Sequence, residues 1–122
     1  MVDFYETEHY IFTHGWIPCD IIGNSHSKRY IPIEDWRNVG VQAWDNAKWT
    51  NGMEAAHSGI IENGKTIVCG HWHCSFGHAH YEGDGGEFDN NPNFTPYYGK
   101  GIIALDACTP VSKMVNCIVI DD

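Results

Sequence analysis

The stretch Thr66-Ile67-Val68-Cys69-Gly70-His71-Trp72-His73 constrains the fold more than any other part of the chain. Its β-branched, apolar run reads as a buried strand, and that strand breaks at a glycine and delivers two histidines two positions apart. Gly70 is expected to let the backbone approach a bound group that a Cβ would obstruct. A second apolar run, Tyr10-Ile11-Phe12-Thr13, ends in His14-Gly15, the same physical arrangement. In open α/β sheets ligands bind outside the carboxyl ends of the strands, which is where both histidine positions fall.

Composition narrows what such a site can serve. The 122 residues suffice for one small domain with a modest core. Sixteen acidic side chains against seven basic ones give a net charge of −9, which excludes a bulk electrostatic surface for nucleic acid or anionic membrane. No apolar run approaches the roughly 20 residues needed to span a bilayer, and the N-terminus has no signal-peptide pattern. The five cysteines form no paired framework, so a reducing cytoplasmic home is expected. The excess that carries information is eight histidines.

Along the chain, residues 1–9 read as a polar lead-in and 18–29 as a loop without periodicity. From Pro32, apolar residues Ile33, Trp36, Val39, Ala43 and Ala47 at spacings of three and four predict an amphipathic helix, with Glu34 and Asp35 in its first turn. A second helical piece is expected over Gly52 to His57, stopped by Ser58-Gly59, with the tryptophans packing a helix face on a sheet. Glu62-Asn63-Gly64-Lys65 is a turn. Residues 76–98, glycine-rich and acidic, are expected to form a long loop serving as a lid or substrate wall. Gly101 to Cys108 and Val115 to Asp121 read as two further strands joined as a hairpin.

Neutral imidazoles bind Zn, Mn, Fe or Cu, and histidines at i and i+2 on an irregular turn can face two neighbouring ions. With Gly70-His71-Trp72-His73 and His14-Gly15 at strand ends, the chain resembles the calcineurin-like metallophosphoesterases, the group that includes the serine/threonine protein phosphatases. The resemblance covers nearly the whole chain, since Ile102 to Cys108 and Cys117 to Asp121 look like the strand pair that follows the family's last signature. It implies an α/β class, with a mixed sheet and helices on one side, as about half of an α/β/β/α sandwich. It also implies a two-metal site of Mn, Fe or Zn with a bridging hydroxide that hydrolyses phosphate esters of protein or small molecules. By position, His14 and His71 would bind one ion and His73 the other, with Trp72 in the variable position and Asp106 near the site.

The family's earlier signatures, Asp-x-His, Gly-Asp-x-x-Asp and Gly-Asn-His, are missing from these residues. Gly23-Asn24-Ser25-His26 has its histidine displaced by one, and Gly83-Asp84-Gly85-Gly86-Glu87 and Gly86-Glu87-Phe88-Asp89-Asn90 stand in the wrong order along the chain. Residues 1–122 therefore read as the C-terminal portion of a single metallophosphoesterase domain, a cloned fragment or a truncated reading frame, with no catalytic residue of its own. Three histidines without the bridging carboxylate predict weak metal binding and no meaningful phosphatase activity alone. Faces left by the missing half predict self-association or a partner chain.

Two other readings use the same residues. One is a non-catalytic metal-binding or interaction module built from His71, His73, Cys74, His78 and His80, although structural zinc usually takes paired Cys or His spacings. The other is an α/β domain with core histidines, in which Cys69, Cys74, Cys108 and Cys117 are small buried hydrophobes.

Overall fold

In the computed structural model, which describes residues 2–24, 26–87 and 91–122, Ile11, Ile67 and Ile102 lie side by side on three parallel strands and are 0 to 2% exposed. Those strands are β2 (Tyr10–Thr13), β5 (Thr66–Cys69) and β7 (Ile102–Ala104). Each isoleucine so buried stabilises the fold by about 1.5–3 kcal/mol, which makes this row the centre of the core. Antiparallel edges close the sheet, β1 (Phe4–Glu6) beside β2 and β6 (Tyr97–Gly99) beside β7. Among the described residues the order is β1-β2-β5-β7-β6, a mixed sheet in a mixed α/β fold.

Three short helices cover the face that bears the isoleucines. Trp44 of α1 (Val41–Ala47) stacks on Phe4 at 5.1 Å between ring centroids. α2 (Gly52–His57) is capped by Asn51, whose side chain accepts from Glu54 N at 3.2 Å. It ends in a Schellman arrangement, with Gly59 N donating to Ala56 O and Ile60 N to Ala55 O, both 3.0 Å, and Gly59 at φ +95°. The predicted stop at Ser58-Gly59 is thus observed. α3 (Cys74–Tyr81) follows β5 and packs on β6 through Gly77, where a Cβ would stand 2.6 Å from the Tyr97 ring. Trp16, 1% exposed, ties the layers together by donating from Nε1 to Ile60 O at 2.8 Å.

Several expectations are corrected. The lead-in contains β1, too short for its alternation to register. The loop expected over 18–29 is instead a hairpin of β3 (Cys19–Asn24) and β4 (Ser27–Pro32). Most of its side chains are exposed, Ile21 and Ile22 at 45% and 48% among them, so no buried face imposed a period of two. The helix expected from Pro32 is split: Trp36–Asn38 form a 3-10 turn, Val39 and Gly40 are extended, and α1 then begins. Asn38 bonds back to Asp35 through both its backbone N (3.1 Å) and its side chain (2.9 Å), offering the chain an alternative to helix.

Residues 76–98 are not one loop, because α3 occupies 74–81 and β6 begins at Tyr97. The expected C-terminal hairpin is absent too. Residues 109–112 form α4 (Thr109–Ser112), with Cys108 and Lys113 left-handed on either side, and 115–121 pair with no strand among the described residues. That tail still alternates, Asn116, Ile118 and Ile120 being half-buried between exposed Val115, Cys117 and Val119. Its ends are fixed where Asn116 Nδ2 donates to Leu105 O at 3.1 Å and His9 N donates to Asp122 at 2.7 Å. Among the described residues, no helix is long and apolar enough to cross a membrane. The near-match Gly23 to His26 and the string Gly86 to Asn90 fall partly outside the described residues, at Ser25 and at 88–90.

Candidate functional site

β2 and β5 run parallel, so their carboxyl ends present His14 and His71 side by side. The two rings are 5.4 Å apart between centroids. Gly70 N donates to His14 O at 2.9 Å, carrying the pairing one residue past each strand. The chain then reverses: Trp72 N bonds to Gly70 O at 2.8 Å, and His71 between them sits at φ +67°. A non-glycine residue held there is strained, and such strain concentrates at functional sites. His73 is the N-cap of α3, so the strand-to-helix corner carries both histidines of the motif.

The glycines act differently from expectation. A Cβ on Gly70 would make only an ordinary contact with His14 O, at 3.7 Å. Gly15 is the crowded one, pressed on the Ala47 and Lys48 carbonyls at the end of α1, where Trp16 N donates to Ala47 O at 3.0 Å. That contact seats the α1 terminus, with Lys48 and Trp49, beside His14. Trp49 meets the His71 ring edge-on at 5.0 Å. An open cleft of about 510 Å³ runs from His14 along Tyr5, Phe12, Lys48 and Trp49.

Burial is the main cause holding His71 below the usual imidazole range, and the neighbouring charges of His14 and His73 lower it further. Asp106 pulls the other way. Its Oδ1 also accepts from Cys108 N at 2.8 Å, so Asp106 has the structural hydrogen bond that its place in the chain allowed. A neutral imidazole is the ligand form, which His71 therefore offers at neutral pH.

His14, His71 and His73 do not bring three ligand atoms within 4.8 Å of one another; among the described residues two other groups do, Glu8 with His9 and Asp122, and His78 with Glu82 and Asp84. The alternative set of five is dispersed by α3. The Cys74 thiol is buried against Ala104 O, at 3.0 Å, and burial raises it to about 11. His80 stacks on Phe76 at 4.1 Å, and His78 turns toward Glu82 and Thr95. Cys69 is buried with its thiol pushed up by desolvation, as expected of a core cysteine.

No family model, curated protein or solved structure matches the chain. Its function is read from the residues themselves.

Sequence reasoning missed the aromatic cleft and the carboxylates next to His78. The cleft had no signal, because Tyr5 and Trp49 meet only through the β1–β2 pairing and the Gly15 contact. For His78 a signal was present, in the His-x-x-x-Glu spacing that places both side chains on one helical face.

Proposed function

We propose that this chain supplies the histidine side of a two-metal phosphoesterase centre, with His14 and His71 on one divalent ion and His73 on the other, Mn, Fe or Zn. One observation carries the reading: the His14 and His71 rings converge at the ends of adjacent parallel strands, with His71 in a strained backbone conformation. Two imidazoles at this separation suit a borderline divalent cation, and carboxylates from elsewhere would complete such a centre. When bound, such ions supply Lewis-acid chemistry and charge neutralisation at phosphorus.

The chain's own residues position the substrate. Trp49 meets the His71 ring edge-on and so orients it. Lys48 lines the cleft beside His14 with its ammonium 3.4 Å from Asp45 Oδ1, a weak exposed pair that a phosphoryl oxygen would compete with, while Tyr5, Phe12 and Trp49 receive the organic part of the ester. Tyr5, Phe12, Val68, Ile103 and Tyr98 pair in register across all five strands and share the face opposite the helices. Val68 at the centre of that row is already buried and Phe12 and Ile103 are half-buried, so only its ends, Tyr5 and Tyr98, are left for a further layer to cover.

Equilibrium dialysis against Mn²⁺ tests the reading. His14→Ala and His71→Ala are each expected to lower affinity by at least about tenfold, and unchanged affinity in both would overturn it. The chain alone with Mn²⁺ is expected to leave 4-nitrophenyl phosphate unhydrolysed. Turnover at an ordinary enzyme rate would mean that the completing carboxylates lie within this chain.

A further inference from the structure

The last turn of α3 holds a second cluster that shares no residue with His14, His71 and His73. His78 is 5% exposed, and its Nε2 lies 2.9 Å from the carbonyl oxygen of Thr95. A carbonyl can only accept, so Nε2 carries the proton and the neutral ring keeps its lone pair on Nδ1. That lone pair points at a carboxylate oxygen of Glu82. Two acceptors cannot meet without a positive species: a proton makes this contact the hydrogen bond it is, and a metal ion binding the same two atoms would displace that proton.

The surroundings decide between the two. Asp84 brings a second carboxylate, and the ligand atoms of His78, Glu82 and Asp84 all lie within 4.8 Å of one another. The backbone builds this convergence: Glu82 N and Asp84 N both donate to His78 O, at 3.2 and 2.9 Å, and Gly83 at φ +66° makes the turn between them. Asp84 is itself oriented, its Oδ2 accepting from Asn93 Nδ2 at 2.8 Å. Asn93 Oδ1 accepts from Thr95 N at 3.0 Å and from Thr95 Oγ1 at 2.6 Å, which fixes the direction of the amide. Thr95 thus orients the buried imidazole and, through Asn93, one of the carboxylates. Outer contacts of this type, a backbone carbonyl on the far ring nitrogen and a hydrogen-bonded carboxylate, accompany metal ligands. Among the described residues no lysine or arginine pairs with Glu82 or Asp84, so two negative charges stand beside the His78 lone pair with no cation to balance them. A shared proton balances one of them, and a divalent cation would balance both.

We propose that His78 Nδ1, Glu82 and Asp84 bind a divalent cation that clips the chain after α3 back onto the helix. One nitrogen and two carboxylates suit Zn²⁺, with its three-ligand sites of the His and carboxylate type, better than the all-oxygen shells of Ca²⁺ or Mg²⁺. The ion fixes the start of the segment that returns to Thr95 and β6, and with three protein ligands it would keep a position open to water.

Zinc itself is the probe. Equilibrium dialysis of the 122-residue chain compares wild type with Glu82→Gln/Asp84→Asn and with His14→Ala/His71→Ala. The carboxamide variant is expected to lose one equivalent of zinc, while the His14/His71 variant keeps that equivalent. Zinc should also raise the thermal midpoint of wild type and of the His14/His71 variant but not of the carboxamide variant. Glu82 and Asp84 are both exposed, and Asp84→Asn alone, the mildest change, is expected to weaken the same equivalent at least tenfold. Equal zinc content in wild type and in both carboxamide variants would overturn the proposal and assign the His78–Glu82 contact to a proton. Loss of zinc in the His14/His71 variant bears only on the phosphoesterase centre, so the two sites succeed or fail separately.

Discussion

The imidazole rings of His14 and His71 lie 5.4 Å apart at the carboxyl ends of two parallel strands, joined by the hydrogen bond from Gly70 N to His14 O. Fifty-odd residues of chain, including a hairpin and two helices, separate them in sequence. The sheet pairs Phe12 with Val68, and that register sets the distance between the histidines. Damage to the register should therefore act on both together.

Gly77 tests the packing that holds α3 against the sheet. Alanine in a helix gains roughly 0.5–1 kcal/mol over glycine from propensity alone. Here its Cβ would stand 2.6 Å from the buried Tyr97 ring and 2.7 Å from Met53 Sδ. Overpacking of this kind costs about 1–3 kcal/mol, so the clash should win and Gly77→Ala should lower the urea midpoint. A raised midpoint would show that the ring moves aside.

Trp16→Phe removes the donor to Ile60 O inside the core. An orphaned buried carbonyl costs about 1–3 kcal/mol, and the smaller ring adds a cavity. Urea unfolding followed by far-UV circular dichroism should register a loss in that range. A change within experimental error would mean that water reaches Ile60.

Acid stability depends on Glu6. Hydrogen bonds first from Arg37 and then from Lys65 lower its carboxyl from the ordinary 4.5 to about 2. The folded value is the lower one, so the unfolded chain binds the extra proton in acid. The stabilisation is present above pH 4.5 and lost as pH falls toward 2. Glu6→Gln should be less stable than wild type at pH 7, and the gap should narrow below pH 4.5 and close only as pH falls to about 2. A constant gap would contradict this.

How much of this was legible follows from where burial imposes a pattern. β2 and β5 were readable because Ile11 and Ile67 are wholly buried, and α2 because Ser58-Gly59 marks its end; the Asn51 cap at its start went unread. The β3–β4 hairpin was not, since exposed Ile21 and Ile22 stand next to each other without alternation. α3 was hidden by its glycine and histidines, which have no apolar periodicity; contacts of Cys74, Phe76 and Gly77 with the sheet and α2 hold it instead. The tail 115–121 was read as a strand and forms none; its alternation reports a half-buried face and says nothing about which strand lies alongside. For the candidate site, the histidine positions came from strand ends, whereas Trp49 and Lys48 depend on a tertiary contact at Gly15 that no local pattern encodes.

The apolar row opposite the helices gives a prediction about association. Its middle, Val68, is buried, but Tyr5 and Tyr98 at its two ends are 63% and 59% exposed, and Val119 on the tail is 94% exposed. The isolated chain is expected to self-associate through this face in sedimentation velocity, with Tyr5→Lys/Tyr98→Lys shifting it toward monomer. A wild-type chain that stays monomeric at high concentration would count against it.

The shared ion is tested most directly by long-range ¹H–¹⁵N spectra of the imidazoles during a Zn²⁺ titration of the Glu82→Gln/Asp84→Asn chain. Ring nitrogens of His14 and His71 should shift together, with one common midpoint, and His71→Ala should abolish the response of His14. Shifts with separate midpoints, or a His14 response that survives His71→Ala, would contradict a metal held between the two strands.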